Sequence, residues 1–480
     1  MDIAASNHGR MVNHPSATTR YASGESYAIT LAMRIRLEAL FGLLALAWAS
    51  APSAAPDAAT LYRGLVLIDG TGAPARPGMA ILTRGERIET IAPAAELPPP
   101  PDAKVVDAAG LYVTPGLINS HEHLATEPNR PWAEAMMRRD LYGGITAVRD
   151  MAGDARQLAD VARAARFGEI AGPDVYYAAL MAGPAFFEDP RTHASARGET
   201  PGAVPWMQAI TSATDLPIAV AEAHGTGATA VKIYADLAGG EVAAITREAH
   251  RQGLLVWAHA AVFPASPKQV VEAGADVVSH ACMLGYQASG EMPRAYHRRA
   301  AVEAARFHDG VNAAVEALLV EMRARRTVLD ATLWIYADMA REHATHPEGP
   351  APYCSEPLAE ALAARAYRGG VLISAGTDGF SPQLDPWPAL QDELELLQNK
   401  AGMAPADVIG SATRVGAMTV GRQDEMGTIA PGKLANLVFM TQDPLKDVRA
   451  FRSIVLTVKR GAPFWRNDYR PVTTAEDTGE

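Results

Sequence analysis

The sequence contains little cysteine, since Cys282 and Cys354 are the only two in 480 residues. Two cysteines cannot form a disulfide-rich scaffold, and they cannot supply a zinc site made of thiolates alone. Positively charged residues are also few, because the chain has 43 Lys and Arg but 54 Asp and Glu, and it contains no basic run. An acidic chain of this kind is not expected to bind nucleic acid through its phosphates. With 48% hydrophobic and 20% charged residues, a disordered chain, a coiled coil and a collagen are excluded.

Long apolar runs are lacking as well. Residues 39–49 form an uncharged apolar run, but it is much shorter than the roughly 20 residues of a membrane-spanning helix. Arg34 and Arg36 precede the run and small residues end it, which is typical of a signal peptide over residues 33–49. A buried core helix is the alternative. We therefore predict a leader and linker over residues 1–57, and an exported protein, periplasmic or secreted, without a stable membrane anchor after cleavage.

The middle of the chain alternates short apolar runs with alanine-rich helical patterns, such as those at 155–167, 240–251 and 311–326. The eight apolar runs span residues 111–119, 145–150, 175–181, 230–235, 254–259, 277–282, 328–335 and 371–377. Eight such repeats predict a (β/α)8 TIM barrel of the α/β class, with a doubly wound sheet as the alternative. In a barrel the catalytic side chains come from the carboxyl ends of the strands. Two turn-rich β segments, at 61–91 and 427–461, flank this region and form either one discontinuous domain or two unrelated end caps.

Side chains that bind metals stand at or near the ends of five of these runs. They are His121 and His123 after the first run, Lys232 in the fourth, His259 in the fifth, His280 in the sixth and Asp378 after the eighth. The two histidines of an H-x-H pair point to the same face of an extended segment, and a lysine in an apolar strand is costly unless paired or modified. Each residue alone has an ordinary explanation, such as a satisfied core histidine. Five strands placing polar groups in one register predict a metal site. Arg149 and Asp150, which end the second run, are expected to form a structural pair.

Three motifs give the sequence a resemblance to a known family. They are TPGLINSHEH at 114–123, SAGTD at 374–378 and GTIAPGKLANL at 427–437. Over residues 61–464 the sequence resembles the amidohydrolase superfamily, and it is most similar to the two-metal type, in the imidazolonepropionase-like and prolidase-like branch. The resemblance implies that both end segments form one small β-sandwich beside the barrel. The implied domains are a sandwich from 58–112 and 424–470, a metal-dependent hydrolase barrel over 113–423, and a tail over 471–480.

The same resemblance implies a centre with two divalent metal ions, for which zinc is the expected element. A carboxylated Lys232 would bridge the ions, with His121, His123 and Asp378 holding one of them and His259 and His280 the other. Asp378 would also be catalytic, moving a proton from the water to the leaving amine. The implied activity is hydrolysis of an amide or peptide C–N bond by a hydroxide that bridges the metals. A lactone, ester or carbamate hydrolase with the same site is the alternative, and a non-catalytic metal-binding protein is a third possibility.

The sequence indicates a small-molecule or short-peptide substrate with an apolar or aromatic portion. The candidate substrate contacts are Tyr234, Phe186, Phe187, Trp206, Met283, Tyr286 and Trp334. Several of them lie in a long turn-rich loop at 183–217, which is either a lid over the site or a segment pinned to the side of the barrel by its aromatic residues. From the family resemblance alone, we also expect a homo-oligomer.

Overall fold

The structure is a computed structural model that describes residues 58–308, 310–349 and 351–478. The predicted signal peptide at 33–49 and the rest of the leader lie outside the described residues. Among the helices that the structure describes, none is long and apolar enough to cross a membrane.

The described residues form eighteen β-strands. In chain order they are β1 (Ala59–Leu67), β2 (Arg76–Arg84), β3 (Arg87–Pro93), β4 (Ala103–Asp107), β5 (Tyr112–Pro115), β6 (Leu117–Glu122), β7 (Ile145–Asp150), β8 (Asp174–Ala182), β9 (Ala203–Val204), β10 (Met207–Ala209), β11 (Ala230–Ile233), β12 (Leu255–His259), β13 (Val277–Ser279), β14 (Val328–Asp330), β15 (Ile373–Ser374), β16 (Leu437–Met440), β17 (Ile454–Lys459) and β18 (Ala462–Trp465). They divide into a ten-stranded sheet that contains the barrel and an eight-stranded sheet made from both ends of the described chain.

The predicted (β/α)8 barrel is confirmed. Strands β6, β7, β8 and β11 to β15 pair in parallel and in chain order. The ring closes between its last and first strands, where the Ser120 amide donates to the Ala375 carbonyl (2.8 Å) and the Asp378 amide donates to the His121 carbonyl (3.0 Å). A doubly wound sheet would stay open, so that alternative is excluded. The carboxyl ends of all eight strands therefore meet on one rim.

Helices connect and surround the barrel strands. They are Arg130–Tyr142, Ala155–Arg166, Pro190–Ser195, Leu216–Gly225, Gly239–Arg251, Pro267–Glu272, Ala313–Arg325, Leu333–Thr345, Glu356–Arg368, Leu390–Asn399, Pro405–Gly410, Gly416–Thr419 and Thr474–Thr478. The helix Ala155–Arg166 shows how local sequence sets their bounds. Asp154 caps its first turn by accepting the Arg156 amide at 2.9 Å, while Leu158 and Val161 are buried on its apolar face.

The second domain joins both chain ends, as the resemblance implied. Strands β1 to β5 precede the barrel, β16 to β18 follow it, and the antiparallel pair β5–β16 links the two halves. Side chains from both halves, among them Leu65, Ile81, Phe439 and Val458, are buried in one shared apolar core. Because neither half can bury these residues alone, the two segments form a single discontinuous domain.

The change from the sandwich to the barrel occurs at Gly116, inside the run predicted as one strand over 111–119. The Gly116 amide still donates to the Asn436 carbonyl of the sandwich side at 2.9 Å. A Cβ atom at this position would lie only 2.2 Å from Oγ1 of Thr146, so the close approach of the Thr146 side chain requires glycine. The run is therefore two strands, β5 and β6, and the sandwich extends past the predicted boundary at residue 112.

Three of the predicted runs are longer than the strands they contain. The runs 277–282, 328–335 and 371–377 hold only the two- or three-residue strands β13, β14 and β15. After β13 and β14 the runs continue into a 3-10 helix and an α-helix, which a short apolar run does not distinguish from a strand. After β15 the rest of the run is irregular. His280 and Asp378 lie just past the strand ends with φ angles of 76° and 57°, so the chain turns at these residues.

The segment 183–217 has short elements of its own and is packed on the barrel. Strand β10 lies within it and pairs in parallel with β8. The solvent-exposed fractions of its aromatic residues Phe186, Phe187 and Trp206 are only 2%, 7% and 8%. These burials match the pinned alternative rather than an exposed lid.

Cys282 and Cys354 form a disulfide bond that the sequence analysis did not predict. Their Cα atoms lie 6.3 Å apart although 72 residues separate them in the chain. The bond ties the 3-10 helix Ala281–Ala288 to the stretch before the helix Glu356–Arg368. Two cysteines this far apart carry no local signal that the fold brings them together.

Candidate active site

The six predicted metal ligands lie at the carboxyl rim of the barrel. His121 and His123 come from the end of β6, Lys232 from β11, His259 from β12, His280 from just after β13, and Asp378 from the turn after β15. Four of them, His121, Lys232, His259 and His280, are buried. The separate strands therefore deliver these side chains to one region, as the pattern of strand ends predicted.

Asp378 is the point at which three of the histidines meet. Its Oδ1 atom lies 3.2 Å from Nε2 of His121 and 3.0 Å from Nε2 of His123. Its Oδ2 atom lies 3.7 Å from Nδ1 of His280. The ligand atoms of His121, His280 and Asp378 all lie within 4.8 Å of one another. Since metal–ligand bonds are about 2.0–2.2 Å long, donor atoms this close together can share one cation or hold two neighbouring cations.

His259 and Lys232 extend the cluster beyond Asp378. The ring centroid of His259 lies 4.9 Å from that of His280. Nδ1 of His259 and Nζ of Lys232 are buried and have no hydrogen-bond partner among the described residues. Buried polar atoms in proteins nearly always have a partner, so these two nitrogens fit a metal ion or a modified lysine.

The surroundings favour metal-binding protonation states. Burial lowers the pKa of His280 to about 3, and burial together with Lys232 lowers the pKa of His259 well below its ordinary value. Burial acts to raise the pKa of Asp378, but His121 and its neighbours outweigh it and hold that pKa well below its usual range. Neutral imidazoles and an ionised carboxylate are the forms that bind divalent transition metals, so His259, His280 and Asp378 fit such ions. His121 differs, because burial lowers its pKa but Asp378 and Asp330 outweigh burial and raise it.

Asp330, the last residue of β14, belongs to this site although the sequence analysis did not single it out. It is fully buried, and its Oδ2 atom accepts from Nδ1 of His121 (2.6 Å), Nη2 of Arg149 (2.8 Å) and Oγ of Ser279 (2.9 Å). A carboxylate behind a metal-binding histidine fixes the tautomer and the orientation of the ring. Asp330 thereby directs Nε2 of His121 towards Asp378. Its place as the one charged residue within the seventh run, 328–335, was the signal that could have identified it.

Arg149 pairs with Asp330 and not with Asp150, so the predicted Arg149–Asp150 pair was wrong. Asp150 instead accepts the backbone amides of Leu124 (2.6 Å) and Ala152 (3.1 Å). Both Arg149 and Asp330 are fully buried, so each compensates the charge of the other inside the barrel.

Residues 112–463 match the model of the amidohydrolase family, which is most of the chain. The chain belongs to this family. An adenine deaminase of Rubrobacter xylanophilus is 36% identical over 67 residues, which are 14% of this chain and 11% of that protein. An imidazolonepropionase of Acidiphilium cryptum is 42% identical over 60 residues, which are 11% of this chain and 15% of that protein. The chain thus aligns with only a small part of the length of these two curated relatives.

A solved structure of a Xaa-Pro dipeptidase with methionine bound in its active site shares the fold of this amidohydrolase. The TM-score is 0.68 at 20% sequence identity, with 85% of this chain and 100% of the other covered. At this identity the likeness supports the fold alone. The resemblance to the amidohydrolase superfamily, predicted from three motifs, is confirmed by the family match.

A cavity of about 390 Å³ opens beside the predicted metal ligands of this amidohydrolase. Of the seven predicted substrate contacts, Tyr234, Phe186 and Met283 line it. The Tyr234 ring lies 4.0 Å from the ring of His259 and 4.5 Å from that of Phe186, measured between centroids. Tyr234 therefore stands between the metal ligands and the aromatic wall of the cavity.

Four other predicted contacts are buried but do not line this cavity. They are Phe187, Trp206, Tyr286 and Trp334. Nε1 of Trp206 donates to the Ser195 carbonyl at 3.2 Å, and the Tyr286 hydroxyl donates to the Ala300 carbonyl at 2.8 Å. The ring of Phe187 lies edge-on to that of Phe186, with 5.8 Å between centroids, so Phe187 supports a side chain that faces the cavity.

Four charged or aromatic residues of the cavity wall were not predicted. They are Arg191, Tyr296, Arg299 and Tyr353. Arg191 lies in the helix Pro190–Ser195, Tyr296 begins the 3-10 helix Tyr296–Arg298, and Arg299 and Tyr353 lie in irregular segments between the barrel strands. Such short or irregular segments have no hydrophobic period, so the sequence carried no signal of where these side chains point.

Proposed function

We propose that the chain is a metal-dependent hydrolase that cleaves an amide or peptide C–N bond in a small substrate with an apolar or aromatic portion. The grouping of His121, His280 and Asp378 at the barrel rim, beside a cavity that His123 and His259 also line, carries this proposal. Membership of the amidohydrolase family supports it. The structural relative named as a Xaa-Pro dipeptidase supports a peptide bond as the target.

Two zinc ions are the proposed cofactors. One would be held by His121, His123 and Asp378, and the other by His259 and His280. When bound, the ions would supply a Lewis acid for the carbonyl group and a water acidic enough to ionise near neutral pH. The unpartnered Nδ1 atom of His259 and the closeness of Asp378 to three imidazoles support this assignment.

Lys232 is proposed to carry a carboxyl group and to bridge the ions. Burial, with a further effect of Arg149, lowers the pKa of its amine to about 7, so the neutral form is abundant near neutral pH. A neutral amine adds to carbon dioxide and loses one proton, which gives an anionic carbamate. This change would replace an unpartnered buried amine by an anion beside the proposed metal ligands, where bound cations would compensate its charge.

The remaining groups position the substrate and move the proton. Asp378 would accept a proton from the attacking water and deliver it to the leaving nitrogen, because its carboxylate faces both the histidines and the cavity. The Tyr234 hydroxyl would donate a hydrogen bond to the substrate carbonyl. Phe186 and Met283 would contact the apolar portion of the substrate.

The test is a library of dipeptides and aryl amides, assayed on purified, metal-loaded protein beside esters, lactones and carbamates. We expect turnover of amides, loss of that turnover in Lys232→Ala, and partial rescue of this variant by small carboxylic acids. Lys268→Ala, which removes an exposed lysine paired with Glu272, is the matched control and should remain active. Turnover of esters or lactones alone would favour the alternative activity, and a fully active Lys232→Ala would contradict the bridging role.

We also propose that the protein is exported, which the leader pattern suggested. The Cys282–Cys354 disulfide supports this, since disulfides persist mainly in oxidising compartments. Sequencing the mature N-terminus of the secreted or periplasmic fraction tests the proposal, and an uncut chain confined to the cytosol would contradict it. Homo-oligomer formation stays a prediction from the family resemblance.

A further inference from the structure

Arg299 is held in a fixed orientation at the wall of the active-site cavity. Its guanidinium carbon lies 3.9 Å from the ring centroid of Tyr296 and 4.5 Å from that of Tyr353. Its Nη1 atom donates to the backbone carbonyl of Tyr296 at 2.7 Å. Contacts with two aromatic rings and a backbone bond reduce the freedom of the side chain, so less entropy is lost when it binds a ligand.

Arg299 lacks an acidic partner within residues 58–308, 310–349 and 351–478. Its Nε atom is buried there without a hydrogen-bond partner. The other arginine of the cavity, Arg191, differs in this respect, because its Nη2 atom lies 2.7 Å from Oδ2 of Asp189. A partly buried guanidinium without a counter-charge is unfavourable unless an anion pairs with it. The protein thus compensates Arg191 and leaves Arg299 to pair with a ligand.

Only the ring of Tyr296 separates Arg299 from His259, one of the proposed metal ligands. The ring centroid of Tyr296 lies 5.7 Å from that of His259, and Arg299 stacks on the same tyrosine. Met283 and Met339 supply apolar surface in the same cavity. A small ligand can therefore contact the metal end and the guanidinium at once, with its apolar part against the methionines.

We propose that Arg299 binds a carboxylate of the substrate. The substrate class of the site is then an N-acyl amino acid or dipeptide with a free carboxylate close to the scissile C–N bond. A guanidinium presents paired N–H groups that match both oxygens of a carboxylate, which gives a selective contact. This inference rests on the proposed C–N hydrolase function and names the substrate class of that same site.

The test compares matched pairs of compounds on the metal-loaded enzyme, each compound taken as the free acid and as its carboxamide. Because hydrogen bonds to charged groups are the stronger ones, we expect kcat/KM to be about 10- to 150-fold higher for the acids. Arg299→Met should bring the two forms to similar values, mainly through a higher KM for the acid, and Arg299→Lys should keep part of the preference. Arg298→Met removes an exposed neighbour that does not line the cavity and should leave the preference unchanged.

Activity of Arg299→Met on the carboxamides shows that this variant is folded and holds its metals. Equal kcat/KM for both forms in the wild type, or an undiminished acid preference in Arg299→Met, would overturn the carboxylate site while leaving C–N hydrolysis in place. If neither the acids nor the carboxamides are cleaved, the proposed function is contradicted. The carboxylate site is then tested by calorimetric titration with N-acetylphenylalanine and its carboxamide. In that case, binding of the acid that is lost in Arg299→Met supports the site, and binding that is unchanged overturns it.

Discussion

The Asp330–Arg149 pair allows the energetics of the barrel interior to be tested directly. Asp330→Asn replaces a fully buried carboxylate that accepts three hydrogen bonds on one oxygen atom. The substitution leaves the guanidinium of Arg149 buried without its counter-charge. Removing one partner of a buried ion pair costs about 3–5 kcal/mol, so we expect a loss of that size in the free energy of unfolding.

Urea unfolding of metal-free protein measures this loss without a contribution from bound ions. The double variant Arg149→Met with Asp330→Asn removes both charges and should be more stable than Asp330→Asn alone. Asp338→Asn is the control, because Asp338 forms an exposed pair with Arg341 and such pairs contribute at most about 1 kcal/mol. A loss below about 1 kcal/mol in Asp330→Asn, or a double variant no more stable than the single one, would refute the reasoning.

The same variant should also weaken metal binding. Asp330 orients His121 through its Nδ1 atom, and loss of a carboxylate behind a metal ligand typically lowers metal affinity by about 10- to 100-fold. Competition with a chelator measures the affinity in both proteins. Equal affinities would show that Asp330 has no part in orienting His121.

Two further predictions concern other buried groups. Burial raises the pKa of Glu393 to about 8, so the folded state favours the protonated form of this carboxyl group. Its contribution to the free energy of unfolding is therefore complete below pH 4.5 and is lost as the pH rises towards 8. Glu393→Gln should therefore gain stability relative to the wild type between pH 4.5 and 8, and parallel pH profiles in thermal unfolding would contradict this. The Cys282–Cys354 bond closes a loop of 72 residues, for which the loss of chain entropy in the unfolded state corresponds to about 4 kcal/mol of stability. The double variant Cys282→Ser with Cys354→Ser should therefore unfold at a clearly lower denaturant concentration. An unchanged unfolding midpoint would contradict a structural role of the bond.

The grouping of the six candidate metal ligands at the barrel rim could be predicted because each of them interrupts a regular pattern. An H-x-H pair, a lysine in an apolar strand and histidines at strand ends are unfavourable in a barrel unless they share a function. Asp330 was missed because an aspartate at the end of a strand resembles an ordinary turn residue. Only the structure shows that it accepts from His121 and Arg149 at the same oxygen atom.

The fold was predictable to the level of strand order but not of strand ends. Gly116 looks like any glycine within an apolar run, and its contact with Thr146 depends on a strand that follows later in the chain. The cavity wall was less predictable, because Tyr296 lies in a three-residue 3-10 helix and Arg299 and Tyr353 lie in irregular segments. Their side chains are positioned by contacts with one another, which no local sequence pattern encodes.

The metal content of the purified chain tests the central claim most directly. Protein expressed with added divalent metal, freed of loosely bound ions and analysed by inductively coupled plasma mass spectrometry, should contain two ions per chain. The proposed centre requires both, one at His121, His123 and Asp378 and one at His259 and His280. Two ions per chain would agree with this account, whereas fewer than one ion per chain would contradict it.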